Sequence, residues 1–324
     1  MLLRIFRTSQ PLSWILIILL ITVLRIVLFS FFYESVHSFD NKLISSNILN
    51  QFVENLPWLS HITSTIYILF SGLFFNRIAQ DLNLLSGIHY LLFFMFGIFV
   101  SFYPENLILS PFLIAIPLLL LSFHLIMTQF KGTLPMGIVY NASFFIGLAS
   151  IIYFPSSILL IILIWSLIYL NQTSWRHFII ALIGFSTPIL FFDTVTFSFS
   201  LPFEYISNYW SNQFQLISLT NYLPAYSTYI ILGLIILQSF IYFKTVSKSI
   251  IKIRKALHLS FWYLILGILM NGFMVQPFPN MTNVVLIPLS ILFTIFHLEV
   301  KRWWVSDLFF IALIGGLISS YLYA

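Results

Sequence analysis

Arg25 lies inside an otherwise apolar run, and three carboxylates, Glu34, Asp40 and Glu105, stand in the segments between such runs. An ionisable side chain within a membrane-length apolar stretch is expensive enough to mark either a functional group or one that reaches back to water. As a functional group, the planar guanidinium can make paired hydrogen bonds to phosphate oxygens. The alternative is a long stem that carries the charge to the membrane surface. A nearby carboxylate can take the proton of an acceptor hydroxyl or hold a divalent cation, although acids in loops also simply solubilise them. Arg25 followed by Glu34 and Asp40 has the residue types needed to hold a phosphate or pyrophosphate.

The elements that would position these groups are membrane spans. Hydrophobic residues make up 60% of the chain, charged residues 7%, and the mean hydropathy is +1.03; a soluble domain carries about 25% charged residues. A helix needs about 20 mostly apolar residues to cross a bilayer. On that rule spans are expected at 12–32, 59–79, 87–103, 109–129, 136–154, 156–171, 177–192, 225–243, 259–275, 283–299 and 304–323. The chain is therefore expected to be an all-α, polytopic integral membrane protein of about eleven transmembrane helices, a single membrane domain over residues 1–324. Pro117, Pro135, Pro188 and Pro288 fall in or near these spans, where neighbouring helices can satisfy the carbonyls that proline frees.

Charge sorting gives the orientation. Arg4, Arg7, Arg77, Lys131, Arg176, Lys244, Lys248, Lys252, Arg254, Lys255, Lys301 and Arg302 fall in one alternate set of loops, and Lys42 alone in the other. Glu34, Asp40, Glu54, Glu105, Asp193 and Glu204 lie on the side poor in Lys and Arg. Loops rich in Lys and Arg stay in the cytoplasm, so the N-terminus is expected inside and the acids outside. The net charge of +5 is this bias and no sign of a nucleic-acid partner.

Two exterior segments exceed what a connection requires. Residues 33–57 carry Glu34, His37, Asp40 and Glu54, and Leu43 or Ile44, Ile48 or Leu49, and Phe52 recur at helical spacing, as in a helix lying in the interface. Residues 193–224 are rich in rings, among them Tyr205, Tyr209 and Trp210, which an interfacial aromatic belt would also explain. Cysteine is absent, which excludes disulfides and thiolate chemistry. The seven histidines never recur on one helix at i, i+3 or i+4 spacing, so no metal face is visible. No phosphate-binding Gly loop or H-E-x-x-H occurs.

The stretch Tyr140–Asn141–Ala142–Ser143–Phe144–Phe145–Ile146–Gly147–Leu148–Ala149–Ser150–Ile151–Ile152–Tyr153–Phe154–Pro155, an apolar span, Trp175–Arg176–His177 and a further span resemble an uncharacterised multi-pass membrane family of Bacteroidota. More distantly the same segment resembles the GT-C membrane glycosyltransferases. In those a small-residue helix precedes a span, a short basic cytoplasmic loop and another span. The acid-bearing first exterior loop, the acid in the second and the long loop after the seventh span agree with that pattern. A paired acid in the first loop and a C-terminal periplasmic domain do not appear.

The resemblance implies a protein of the bacterial cytoplasmic (inner) membrane that uses a polyprenyl-phosphate-linked sugar at its exterior face. Asp40, or else Glu34, would be the first-loop catalytic acid and Glu105 the second-loop acid. Arg25 would face the lipid phosphate, a divalent cation could assist, and His37, Tyr205 and Trp210 would contact substrate. Two other classes fit the composition. A non-catalytic subunit of an envelope assembly or secretion complex would present Phe-rich faces to protein partners. A transporter of lipid or small solutes would show broken helices in corresponding halves.

Overall fold

The computed structural model of the chain describes residues 11–32, 53, 55–85, 87, 89–128, 135–169, 174–198, 226–270, 279–300 and 302–322. Most of the two long segments expected to be exterior, 33–57 and 193–224, lies outside these residues. Among the described residues eleven α-helices follow one another without a strand: α1 (Pro11–Phe31), α2 (Pro57–Asp81), α3 (Leu91–Val100), α4 (Pro111–Thr128), α5 (Met136–Ile152), α6 (Ile158–Tyr169), α7 (Trp175–Ser198), α8 (Tyr226–Lys248), α9 (Ile251–Met270), α10 (Pro279–Glu299) and α11 (Trp303–Leu322). Each of the eleven apolar intervals read from the sequence overlaps one of them, although α9 begins at Ile251, eight residues before the interval expected at 259–275. Five, α1, α2, α4, α7 and α11, are long and apolar enough to cross a membrane unaided.

The helices sort by what surrounds them. The ten residues of α3 rise only about 15 Å, half the hydrocarbon thickness of a bilayer, yet every one is buried. A helix enclosed by other helices need not match the lipid, and α3 packs against α1, α2 and α10. Residues 284–296 of α10 are likewise buried throughout. Rings lock this centre: Phe99 meets Phe293 edge-on at 4.7 Å, and Phe75 meets Phe96 at 5.4 Å. By contrast α1 exposes Leu19, Val23 and Ile26, α7 exposes Leu182, Leu190 and Phe191, and α8 exposes Ile236, Leu237 and Phe240. Apolar faces turned outward and polar atoms turned inward are the arrangement a lipid solvent selects.

Close approach and proline repair explain two of the tightest contacts. α5 and α7 are the most extensively packed pair. A Cβ on Gly147 would collide with the Phe185 carbonyl and the Pro188 ring, and one on Gly184 with Ser143 and the Tyr140 carbonyl. Pro188 deprives the Gly184 carbonyl of its helical N–H, and Thr187 Oγ1 donates to that carbonyl instead (2.9 Å). Pro288 in α10 does the same to Val284, whose carbonyl accepts from the buried Tyr263 hydroxyl of α9 (2.9 Å). The freed carbonyls therefore find side-chain donors, one on the same helix and one on a neighbour.

A double-mutant cycle checks the second repair. Tyr263→Phe is expected to lower stability by about 1–3 kcal/mol, the cost of an unsatisfied buried acceptor. In a Pro288→Ala background the helix regains its own N–H donor, so thermal unfolding in detergent should show Tyr263→Phe costing less than half as much.

Candidate functional site

Between α3 and α4 the chain leaves helical geometry without leaving the bundle. From Ser101 to Ser110 every residue is buried except Leu109, which is half-buried, and Pro104–Leu107 form a single 3-10 turn. Main-chain groups released in such a place have no water to turn to and must be paired by protein. Side chains from the turn itself and from α1, α2 and α11 do this. Asn106 Nδ2 donates to Val100 O (3.1 Å), Tyr321 Oη to Ser101 O (2.6 Å) and Ser320 Oγ to Phe102 O (2.8 Å). Ser60 Oγ accepts from the Leu109 N–H (2.9 Å). His61 Nδ1 donates to Leu107 O (2.8 Å), and Ser64 Oγ lies 2.7 Å from the same oxygen.

Arg25 is the largest contributor. Its side chain is 0% exposed. Nε donates to Thr65 Oγ1 (3.0 Å), and Nη2 to Ser64 Oγ (2.7 Å), Asn106 O (2.8 Å) and Leu107 O (3.2 Å). Nη1 makes a longer contact with Ser101 Oγ (3.4 Å). The guanidinium is thus turned inward onto protein oxygens, not out to the surface, and its fork clamps the turn. Arg25 stands six residues before the end of α1, and Ser64 seven residues after the start of α2. At 1.5 Å per residue the turn sits about 10 Å below those helix ends. Residues 101–110 form a recessed turn, deeper than the connecting loop the sequence suggests.

Asn106 carries the network across the bundle. Its Nδ2 also donates to Asn283 Oδ1 of α10 (2.9 Å), and its Oδ1 accepts from Ser110 Oγ (2.9 Å). His61 stacks on Phe29 at 4.3 Å, with Trp58 edge-on to Phe29 at 4.9 Å. Its Nε2 is buried and has no hydrogen-bond partner among the described residues. Glu105 opens the 3-10 turn and is itself buried; burial pushes its carboxyl up to about 8, so it holds its proton at neutral pH.

Of the residues the sequence singles out, the structure brings Arg25 and Glu105 to one turn. Glu34, His37, Asp40, Tyr205 and Trp210 lie outside the described residues. The sequence reading missed Ser60, His61, Ser64, Thr65, Asn106, Asn283 and Tyr321. One signal was available: with Ser60-His61-Ile62-Thr63-Ser64-Thr65 in α2, its 18-residue apolar stretch reaches a mean hydropathy of 1.3, against 2.7 in α1. Among the described residues no group of three His, Asp or Glu could hold a metal ion.

Beside this turn runs a groove of about 540 Å³ between α1, α3 and α11, walled by apolar side chains including Leu20, Leu24, Phe94, Ile98, Ile314 and Ile318. It extends along α1 from Leu16 to Leu28, about 18 Å of helix. Its floor is closed at Gly97, where a Cβ would strike Ile21. Leu28, Gly97 and Leu317 all line it and lie one helical turn from Arg25, Ser101 and Tyr321. The groove therefore passes within one helical turn of the polar turn, whose polar side chains do not line it. No protein-family model, curated protein sequence or solved structure matches this chain.

Two measurements follow from this geometry. Arg25→Met strands the Asn106 carbonyl, while the Leu107 carbonyl keeps His61 and Ser64, and should cost about 1–3 kcal/mol, read as a lowered unfolding temperature that Arg25→Lys restores only in part. For Glu105 the ordinary carboxyl value is 4.5 and the folded one about 8. Between those limits the unfolded chain releases a proton that the folded chain keeps, so stability falls as pH rises through that window and levels off above it. Glu105→Gln should flatten the dependence over pH 5–8 measured by thermal unfolding.

Proposed function

We propose that this chain is a multi-pass protein of the bacterial inner membrane that takes a polyprenyl-phosphate-linked sugar at its exterior face and transfers the sugar to an acceptor. The observation that carries this reading is the apolar groove within one helical turn of a buried polar turn. A long-chain lipid phosphate has the same division, a hydrocarbon tail joined to one polar head. In this reading the chain passes through the membrane about eleven times with the N-terminus in the cytoplasm, and the short α3 makes its passage enclosed by other helices. The tail lies between α1 and α11, and the phosphate stands at the mouth of the groove, above the recessed turn.

The chemistry assigns one proton and one bond. The acceptor hydroxyl oxygen attacks the anomeric carbon while Asp40, on the first exterior segment, takes its proton. The bond from that carbon to the phosphate oxygen breaks, and the polyprenyl phosphate leaves with the electron pair. A divalent cation can offset the charge that develops on it. Arg25 acts as a positioning residue, because its donors already hold the turn. Glu105, protonated in its buried seat, can donate a hydrogen bond towards the head group. Rings of the 193–224 segment, Tyr205 and Trp210 among them, stack on the sugar.

A second reading has its own support. The centre of the bundle is filled by α3 and α10, and the groove and the outer face of α7 are apolar. Such a body also suits a non-catalytic subunit of an envelope assembly complex, with the helix of a partner in the groove.

Full-length protein reconstituted with a diazirine-bearing polyprenyl phosphate separates the two. Crosslinks are expected at Leu20, Leu24, Ile314 and Ile318. Leu24→Trp should suppress them at least severalfold, whereas Leu190→Trp on the outer face of α7 should not. Labelling spread evenly over all outward faces would exclude the groove as a lipid site. Full transfer activity in both Asp40→Asn and Glu105→Gln would exclude the transfer mechanism.

A further inference from the structure

At the α8–α9 hairpin, far along the chain from the groove, Lys244, Lys248, Lys252, Arg254 and Lys255 fall within twelve residues, and residues 226–270 contain no Asp or Glu. The five cations do not play the same part. Arg254 Nη2 donates to Ser247 O (3.0 Å) and Ser249 O (3.1 Å), so that guanidinium pins the turn between the helices. Lys244, Lys248 and Lys252 are exposed, and none has an ion-pair partner among the described residues. Glu299 borders a small pocket with Thr245, Ser249 and Ile253.

Lysines four residues apart on a helix face repel one another, as Lys244 and Lys248 do. Lys252 sits in the first turn of α9, where the helix dipole disfavours a cation. Nothing on the hairpin offsets this. The same face of α8 continues upward as an apolar stripe: Ile236, Leu237, Phe240 and Phe243 are exposed, and Phe240, Lys244 and Lys248 follow at four-residue intervals. The hairpin tip, Ile250–Ile251, is exposed and apolar as well. One helix face thus carries hydrocarbon-binding surface for about 10 Å and then unbalanced positive charge.

We propose that this face is a binding site for an anionic glycerophospholipid, with acyl chains along Ile236, Leu237 and Phe240 and the head-group phosphate held by Lys244, Lys248 and Lys252. The apolar stripe is what selects a lipid over a free phosphate, since a soluble anion uses only the lysines. The charge is what selects an anionic lipid over a zwitterionic one. Each lysine near a charged membrane surface is worth about a fivefold preference.

Native mass spectrometry of the full-length protein in non-ionic detergent tests this, with phosphatidylglycerol and phosphatidylcholine of matched chains added in equal amounts. Wild type should retain phosphatidylglycerol at least about tenfold over phosphatidylcholine, and the ratio should fall as salt is raised. The Lys244→Gln/Lys248→Gln/Lys252→Gln variant should bring the ratio to about one with unchanged helicity. Should the triple variant not fold, the single variants Lys244→Gln and Lys248→Gln should each lower the ratio severalfold. Equal retention of the two lipids by wild type, a preference that survives in these variants, or displacement of the lipid by millimolar inorganic phosphate would each overturn the proposal.

Discussion

Main-chain groups that leave a helix inside an apolar bundle must be paired by protein, and at residues 101–110 one guanidinium does more of that pairing than any other group. Arg25 reaches two carbonyls and three hydroxyls from a position about 10 Å below the end of α1. A lysine in its place would be a point donor and could not hold the same spread of oxygens in one plane. The rest of the core depends on this. α3 can be only ten residues long because the turn that follows it is supported inside the bundle.

The clamp also explains how distant elements are tied together. Asn106 links the turn to Asn283 at the start of α10, while Ser320 and Tyr321 bring the end of α11 onto Phe102 and Ser101. Five elements thereby meet at one level, and α1 and α11 are held on either side of α3 with an apolar groove between them. The groove is a consequence of that spacing: Ile21 already rests on Gly97, and the space beyond it stays open. A polar layer that fixes the helices and an apolar crevice that runs beside it are two results of one arrangement.

How much of this the sequence shows depends on the range of the interaction. Helix positions follow from long, mostly apolar runs, so all eleven intervals overlap helices, although the basic first turns of α9 lie outside the run that marks it. Arg25 is conspicuous because a charge is rare in such a run. Its partners are not conspicuous: Ser64, Thr65, Ser101 and Asn106 are ordinary polar residues, and only packing brings residue 25 next to residue 106. The sequence places Glu105 in a connecting segment, but connection length alone does not reveal how deep a turn sits. Proline repair was legible as a need and not as a solution, since nothing local to Pro288 points to Tyr263.

Hydrogen–deuterium exchange of the full-length protein in detergent tests the buried, clamped turn most directly. Amides of residues 101–110 should exchange as slowly as those of α2 and α4 although the segment is not regular helix, and Arg25→Met should release them selectively. Exchange of this segment at the rate of an exposed loop in the wild-type protein would contradict the arrangement, and with it the groove beside the turn.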